Sequence, residues 1–218
     1  IQENHGFVNQ FLGDGIMALF QRSSSDALNT AIEMQRELQR YNKKRVKKNR
    51  MPINVGIGFH TGELIMGIIG DRGRSDAAII SDTVNTAARL EGLTKYYYAK
   101  ILLSSNSYES LSPEQKKHCR FLGLVQVKGK LEPLGIYEAI EGEAGEMRNL
   151  KLETMEDFHR GLDDYLRGEF TSAISLFEKV LAKNPNDQTA AHILTKTRSA
   201  FDSGLIDDWD GVERMMAK

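Results

Sequence analysis

Gly6-Phe7-Val8-Asn9-Gln10-Phe11-Leu12-Gly13-Asp14-Gly15-Ile16-Met17-Ala18-Leu19-Phe20 is the stretch from which the fold can first be read. Two apolar runs, Phe7 to Leu12 and Ile16 to Phe20, flank Gly13-Asp14-Gly15. Glycine and aspartate tolerate positive φ, so the pattern predicts a tight β-hairpin. From Ser25 or Asp26 to about Val46 the period changes. Ala27, Leu28, Ala31, Ile32 and Leu38 recur at helical spacing behind a polar N-cap. Pro52 closes that connection, and Ile53 to Phe59 with Glu63 to Ile69 reads as a second strand pair. A helix is predicted from Asp82 to Glu91, stopped by Gly92, then a strand at Ile101 to Leu103 and a short helical stretch from Ser104 to Lys117. Phe121 to Val127 and Leu134 to Ala139 form a closing pair of strands around Gly129. This order predicts an α+β sandwich with helices on one face of a mostly antiparallel sheet.

The 218 residues suffice for one large or two modest domains. A formal charge of -1 gives no general case for a nucleic-acid or membrane partner, and no apolar run approaches the roughly 20 residues that span a bilayer. The single Cys119 cannot form an internal disulfide, which fits the cytoplasm. Ile1 to His5 does not read as a signal peptide. The chain opens without methionine and runs almost at once into strand-like sequence, so we expect it to begin inside a longer protein, one that could itself be membrane-attached.

Three segments in order resemble the class III nucleotide cyclases, the adenylate and guanylate cyclases. They are Gln10 to Phe20, Gly58-Phe59-His60-Thr61-Gly62-Glu63, and Asp82-Thr83-Val84-Asn85-Thr86-Ala87-Ala88-Arg89-Leu90-Glu91; Val127-Lys128-Gly129-Lys130 follows before the last strand. The resemblance covers about residues 6 to 140. It implies a ferredoxin-like βαββαβ core and a head-to-tail homodimer with active sites between the chains. It also implies conversion of ATP, or GTP, to a cyclic monophosphate and pyrophosphate with two divalent metal ions, Mg²⁺ or Mn²⁺. Cyclisation is an internal phosphoryl transfer, which needs metals on phosphate oxygens and donors where charge develops.

The residue types suit that chemistry. Asp14 at the hairpin turn can hold a hard cation, although a turn aspartate alone would be unremarkable. Asn85 and Arg89 are four apart and share one side of their helix, with Val84, Ala87 and Ala88 expected to anchor another. By resemblance Asn85 orients the ribose, Arg89 stabilises charge on the transferring phosphate, and Lys128 meets the terminal phosphates, with Lys130 as the near alternative. Arginine's fixed fork of donors suits its task better than lysine's point charge. His60 reads as packing rather than catalysis. Gly67, Gly70 and Gly73 follow a strand and do not open a helix, which argues against a dinucleotide site. The run Arg40, Lys43, Lys44, Arg45, Lys47, Lys48 and Arg50 reads first as a solvated helix end, and second as a docking patch for an acidic partner.

The sequence also departs from the family pattern. Of the two positions that usually read the base, Gln10 replaces a lysine, and Ala78 replaces an aspartate, threonine or cysteine. A methyl group offers no hydrogen bond, so the choice of base is weakly written. Ser81 stands where many members have glycine, and nothing between Ile1 and Gly6 resembles the family's opening strand with the other metal aspartate. The expected organisation is a partial cyclase core at 1–140, lacking its first strand and first helices, then a polar linker at 141–150 and a TPR-like helical segment at 151–218. In that segment Gly161, Tyr165, Gly168, Phe170, Ala173, Phe177, Val180 and Pro185 follow the spacing of one repeat. One more helix is expected from Asn186 to Ser203, and a last from Trp209 to Met216. A lone repeat cannot bury its own apolar face, so it should pack on more repeats, the catalytic domain or another chain. Two further readings compete with the enzyme: a degenerate module that dimerises or senses nucleotide, and a scaffold in which the tail binds a protein partner.

Overall fold

The computed structural model describes residues 1–71, 74–126, 132–204 and 209–215. The opening hairpin forms as read: β1 (Gly6–Leu12) pairs antiparallel with β2 (Gly15–Phe20), and Leu12 faces Gly15 across a turn in which Gly13 has φ 63°. Helix α1 (Ser24–Lys47) starts at Ser23, whose hydroxyl accepts from the Asp26 amide at 3.2 Å, and buries Leu28, Ala31 and Ile32.

The second strand pair is not the predicted one. Strand β3 is only Ile57–Phe59 and pairs in parallel with β6 (Ile101–Ser104), whereas β4 (Ile65–Asp71) pairs with β5 (Arg74–Ile80). Side chains of α1 take the backbone bonds that a longer β3 would need. Asn42 bonds both the N–H and the C=O of Ile53, at 2.8 and 2.7 Å, and the Gln35 amide donates to the Val55 carbonyl at 2.7 Å. Helix α2 (Asp82–Tyr96) likewise outruns its predicted stop. Gly92 lies inside it because the buried face continues through Leu93 and Thr94. The chain turns instead at Tyr98 (φ 55°), where the Ala99 amide bonds the Thr94 carbonyl.

The short α3 (Ser105–Glu109) and α4 (Pro113–Lys116) lead to β7 (Cys119–Gln126) and β8 (Leu134–Ala139). The main sheet is mixed and has five strands in the order β3-β6-β8-β7-β9; β3–β6 and β7–β9 are parallel, the inner pairs antiparallel. Its last member, β9 (Val212–Arg214), lies where a final helix was expected. Helices cover both faces of this sheet, contrary to the single-face expectation. Ile101 and Leu103 of β6 point to α1, and Leu102 between them points to α2 and the helices that follow. Strand alternation makes this visible, since a strand buried on both sides is apolar at every position. Cys119 sits in the α1-side core, where burial pushes its thiol up to about 12.

A 3-10 turn (Ile140–Gly142) and α5 (Gly145–Glu153) follow the sheet, then α6 (Met155–Leu166), α7 (Phe170–Lys183) and α8 (Gln188–Asp202). Helices α6 and α7 approach closely at Gly161, where a Cβ would lie 3.2 Å from that of Leu176. These helices do not form a separate core. Phe158, Leu162, Phe177 and Ile193 join Leu90, Leu102, Val125 and Ile136 in one cluster, so of the neighbours considered for the tail it is the sheet that covers it.

A buried charge network joins the two. Arg120 of β7 donates to Glu138, its cross-strand partner on β8, at 2.7 and 3.0 Å, and to Asp187 at 2.6 and 3.2 Å; all three are 0% exposed. Asp187 also caps α8 by accepting from the Ala190 amide at 3.1 Å. Lys151 of α5 bonds Glu138 and Glu143, and the Arg120 guanidinium lies 4.0 Å from the centre of the Phe158 ring. Burial alone would raise the pKa values of Glu138 and Asp187, but Arg120 and Lys151 outweigh it and hold both below the ordinary 4.5 and 3.8. Their stabilisation is therefore complete above those ordinary values and disappears as pH falls through the lower folded-state values. Asp187→Ala, which strands half of Arg120's charge and removes a cap, should lower stability by about 3–5 kcal/mol in urea unfolding at pH 7. It should also narrow the gap between pH 7 and pH 3.

Candidate active site

The Asn85–Arg89 helix is held at three places. The first is its N-terminus. Ser81, with φ -161° and ψ 138°, caps α2 by accepting from the Thr83 amide at 3.0 Å. Its hydroxyl donates to the Glu63 carbonyl at 2.7 Å, and the Thr83 hydroxyl donates to the same carbonyl at 2.7 Å. The serine in place of a glycine thus has a definite task, which the Ser-Asp pair ahead of a helix signals in the sequence.

The second hold is the backbone of β3 and the residues on either side of it. A Cβ on Gly58 would stand 2.1 Å from the Glu91 nitrogen and 2.8 Å from the Ala87 carbonyl oxygen; one on Gly56 would stand 2.0 Å from the Thr94 hydroxyl. At Gly62 a Cβ would come within 2.6 Å of the Thr83 hydroxyl. Gly58 to Glu63 is therefore the bed on which the middle and start of α2 lie, with main chain against main chain. The helix buries Thr86, Leu90, Leu93 and Thr94 on that side. The predicted anchors are corrected accordingly: Ala88 is exposed, while Val84 and Ala87 are half-buried. Asn85 is left exposed and Arg89 half-buried, on the same side of the helix. Among the described residues neither side chain makes a hydrogen bond or ion pair.

The third hold is at the C-terminal end. The hydroxyls of Tyr96 and the buried Tyr97 both donate to the Glu213 carboxylate on β9, which also pairs with Lys196 of α8. Burial would raise the Glu213 carboxyl, yet Lys196 and the two phenols keep it below the usual range. Burial and Glu213 together push Tyr97 well above its ordinary 10.0. The His192 ring stands edge-on to Tyr96 at 4.5 Å, and burial lowers its pKa. Nothing in the local sequence around Glu213 announced this clamp.

His60 is tied into a chain of hydroxyls. Its Nδ1 is 2.7 Å from the Ser104 hydroxyl, itself 3.3 Å from Ser107, which continues through Thr61 to Ser24 on α1 at 2.9 and 2.8 Å. This chain of hydroxyls joins the turn after β3 to both α1 and β6.

The remaining candidates lie apart from α2. Asp14 is exposed in the β1–β2 turn, and Gln10 is exposed on β1 opposite Met17. Ala78 lies on β5 opposite Gly67. Among the described residues each of these hairpins is a two-stranded sheet of its own, separate from the five-stranded one. The chain thus brings Asn85 and Arg89 together and leaves Asp14 and Gln10 on a separate substructure. Lys128, Lys130 and Gly129 lie outside the described residues. Asp14 suits a Mg²⁺ ligand of the kind that supplies one carboxylate while substrate phosphates supply the rest. Two metals need more than that, and among the described residues there is no group of three or more His, Cys, Asp or Glu able to hold one.

Residues 7–142 match the family described as the adenylate and guanylate cyclase catalytic domain. The chain belongs to that family. An adenylate cyclase of Anabaena cylindrica is 42% identical over 144 residues, covering 63% of this chain and 29% of the relative. The terminal-differentiation specific adenylate cyclase of Dictyostelium discoideum is 33% identical over 194 residues, covering 86% of this chain and 9% of the relative. That 86% exceeds what residues 7–142 can hold, so the likeness runs on into the helices that pack on the sheet. The chain thus spans less than a third of the length of either relative. Among solved structures, a guanylyl cyclase superposes with a TM-score of 0.53 at 28% identity, over 66% of this chain and 74% of that one. The adenylyl cyclase CyaB from P. aeruginosa gives 0.53 at 26%, over 66% and 76%.

Two substitutions test the holds on α2. Gly58→Ala should lower stability by about 1–3 kcal/mol, because the clash is with helix backbone that cannot rotate away. Gly67→Ala, where a Cβ meets nothing within 4 Å, should stay within about 0.5 kcal/mol in the same urea titration. Glu213→Gln should speed amide hydrogen exchange across residues 82–96 and leave β1–β2 unaffected.

Proposed function

We propose that the parent protein is an adenylate cyclase, forming cyclic AMP and pyrophosphate from ATP, with GTP as the alternative substrate. In this reading the ribose 3′-oxygen attacks the α-phosphorus, the bond to the bridging oxygen breaks and pyrophosphate leaves. Divalent metal, bound in part by Asp14, would neutralise phosphate oxygens. Arg89 stabilises charge on the transferring phosphate, Asn85 orients the ribose, Lys128 meets the terminal phosphates, and Gln10 and the strand position of Ala78 border the base. The observation that carries the reading is the Asn85–Arg89 face of α2, whose two side chains make no hydrogen bond or ion pair among the described residues and which lies on the bed formed by Gly58 to Glu63. An enzyme that works by electrostatic preorganisation needs donors held in advance, and a helix fixed at start, middle and end supplies that. ATP is favoured by the names of the relatives at 33% and 42% identity.

A head-to-tail homodimer follows from the same reading. The family resemblance implies active sites between chains, in which Asp14 on the β1–β2 hairpin of one chain would work with Arg89 on α2 of the other. The helices from α6 onward are proposed to be a TPR-like extension that the catalytic domain itself covers, leaving another face for a protein partner. We place the domain in the cytoplasm, which the lone, buried Cys119 fits; separately, no described helix is long and apolar enough to cross a membrane.

Product formation from ATP and from GTP, each with Mn²⁺ and Mg²⁺, tests the proposal in the full-length protein. Arg89→Ala should reduce kcat by roughly 10²–10³ with a much smaller change in KM. Asp14→Ala should abolish metal-dependent turnover, and mixing the two variants should restore part of the activity. No cyclic product from either nucleotide would make the protein a nucleotide-sensing or dimerisation module, the role that Ala78 at a base-reading position would suit. Unchanged activity in both variants would overturn the site.

A further inference from the structure

We infer that the outer face of the last two turns of α1, together with the loop that follows it, docks on an anionic phospholipid membrane. Arg40, Lys43, Lys44, Lys47 and Lys48 fall at positions i, i+3, i+4, i+7 and i+8, which is one stripe of a helix. All five are exposed, on the side away from the core. Neutral protein surfaces intersperse acids among such cations. Here no Asp or Glu occurs between Glu37 and Glu63, and among the described residues only Arg40 has an acidic partner, Glu37.

The loop beside the stripe is built, not slack. α1 ends with Asn49 at φ 52°, the Arg50 amide bonding the Arg45 carbonyl and the Asn49 amide bonding that of Val46. Arg45 Nε then donates to the Met51 carbonyl at 2.7 Å, and Asn42 holds both backbone groups of Ile53. These bonds fix the backbone on either side of Met51 and leave its side chain 82% exposed, with Val46 at 57% and Tyr41 at 49% nearby. A pre-ordered turn that pushes an apolar side chain into water beside five cations has the composition of a membrane-interface element.

Shape decides between acidic partners. The surface is a convex helix end, not a groove. An acidic protein could match the charge but would need a pocket for Met51, and duplex DNA offers Met51 nothing apolar to enter. A bilayer accepts a convex surface, meets the stripe with phosphates and takes Met51 into the acyl boundary. The overall charge of -1 does not oppose this, because screening over about 8–10 Å makes the local stripe what a surface feels.

The test is co-sedimentation of the 218-residue chain with vesicles of phosphatidylcholine alone or with 30 mol % phosphatidylserine. It needs no cyclase activity. We expect partition onto the anionic vesicles only, weakening steeply between 50 and 300 mM salt. K43E/K44E/K47E should reduce partition at least about a hundredfold, since each cation near an anionic surface contributes about fivefold. Met51→Ser, which leaves the charge unchanged, should reduce it about three- to tenfold. Circular dichroism checks that the variants fold; should the triple variant unfold, Lys44→Glu alone with the salt series and Met51→Ser carries the decision. Equal sedimentation with neutral vesicles, indifference to the charge reversal or to Met51→Ser, no binding at 50 mM salt, or tighter binding to duplex DNA or polyglutamate would each overturn the proposal.

Discussion

The guanidinium of Arg120 is sealed from water between a sheet and a helical layer, and its compensation dictates how the two layers meet. A cation in that place is tolerable only if both of its anionic neighbours are in place and correctly aimed. Glu138 must therefore stand opposite it across β7–β8, which fixes the strand register. Asp187 must arrive at the start of α8, which fixes where the last long helix begins. Lys151 then balances the surplus negative charge and ties α5 to β8, the middle strand of the sheet. Hydrophobic burial supplies most of the driving force, but it is non-directional. The charge network is what makes one orientation of the helical layer better than its neighbours.

That orientation bears on the candidate site through α2. The helix is wedged between the glycine bed of β3 and the tyrosine clamp of β9, two elements far apart in the chain. The sheet determines how close α2 lies, and the helical layer determines where its last turn ends. The exposed hairpins are held differently. They are two-stranded and carry exposed Phe11, Leu12, Ile16, Ile65 and Met66, so they depend on other surfaces more than the main sheet does.

Much of this could be read from residues alone, and the reasons are local. The Gly-Asp-Gly hairpin follows from turn chemistry, and α1 from apolar period and a serine cap. What escaped was decided by side chains far away in sequence. Asn42 and Gln35 consumed the backbone bonds that would have lengthened β3. Gly92 looked like a stop because glycine often is one, yet Leu93 and Thr94 continue the buried face, and burial outweighed a local cost of roughly 1 kcal/mol. The segment after Trp209 has few residues from which to infer a period, and its strand exists because β7 offered an edge. At the site, the pairing of Asn85 with Arg89 was legible as helical spacing. Its mounting was not, since Gly58 and Glu213 act on α2 from outside any local pattern.

The clamp on α2 also sets an order in time. Tyr96 and Glu213 are 117 residues apart, so a ribosome making about 5–20 residues per second adds the second roughly 6–23 s after the first. For that interval the helix bearing Asn85 and Arg89 has its glycine bed, but its far end waits for a strand not yet synthesised. A nascent chain halted before Val212 would carry α2 with one end loose. Strand β9 thus couples two events, pairing along β7 and securing the end of that helix.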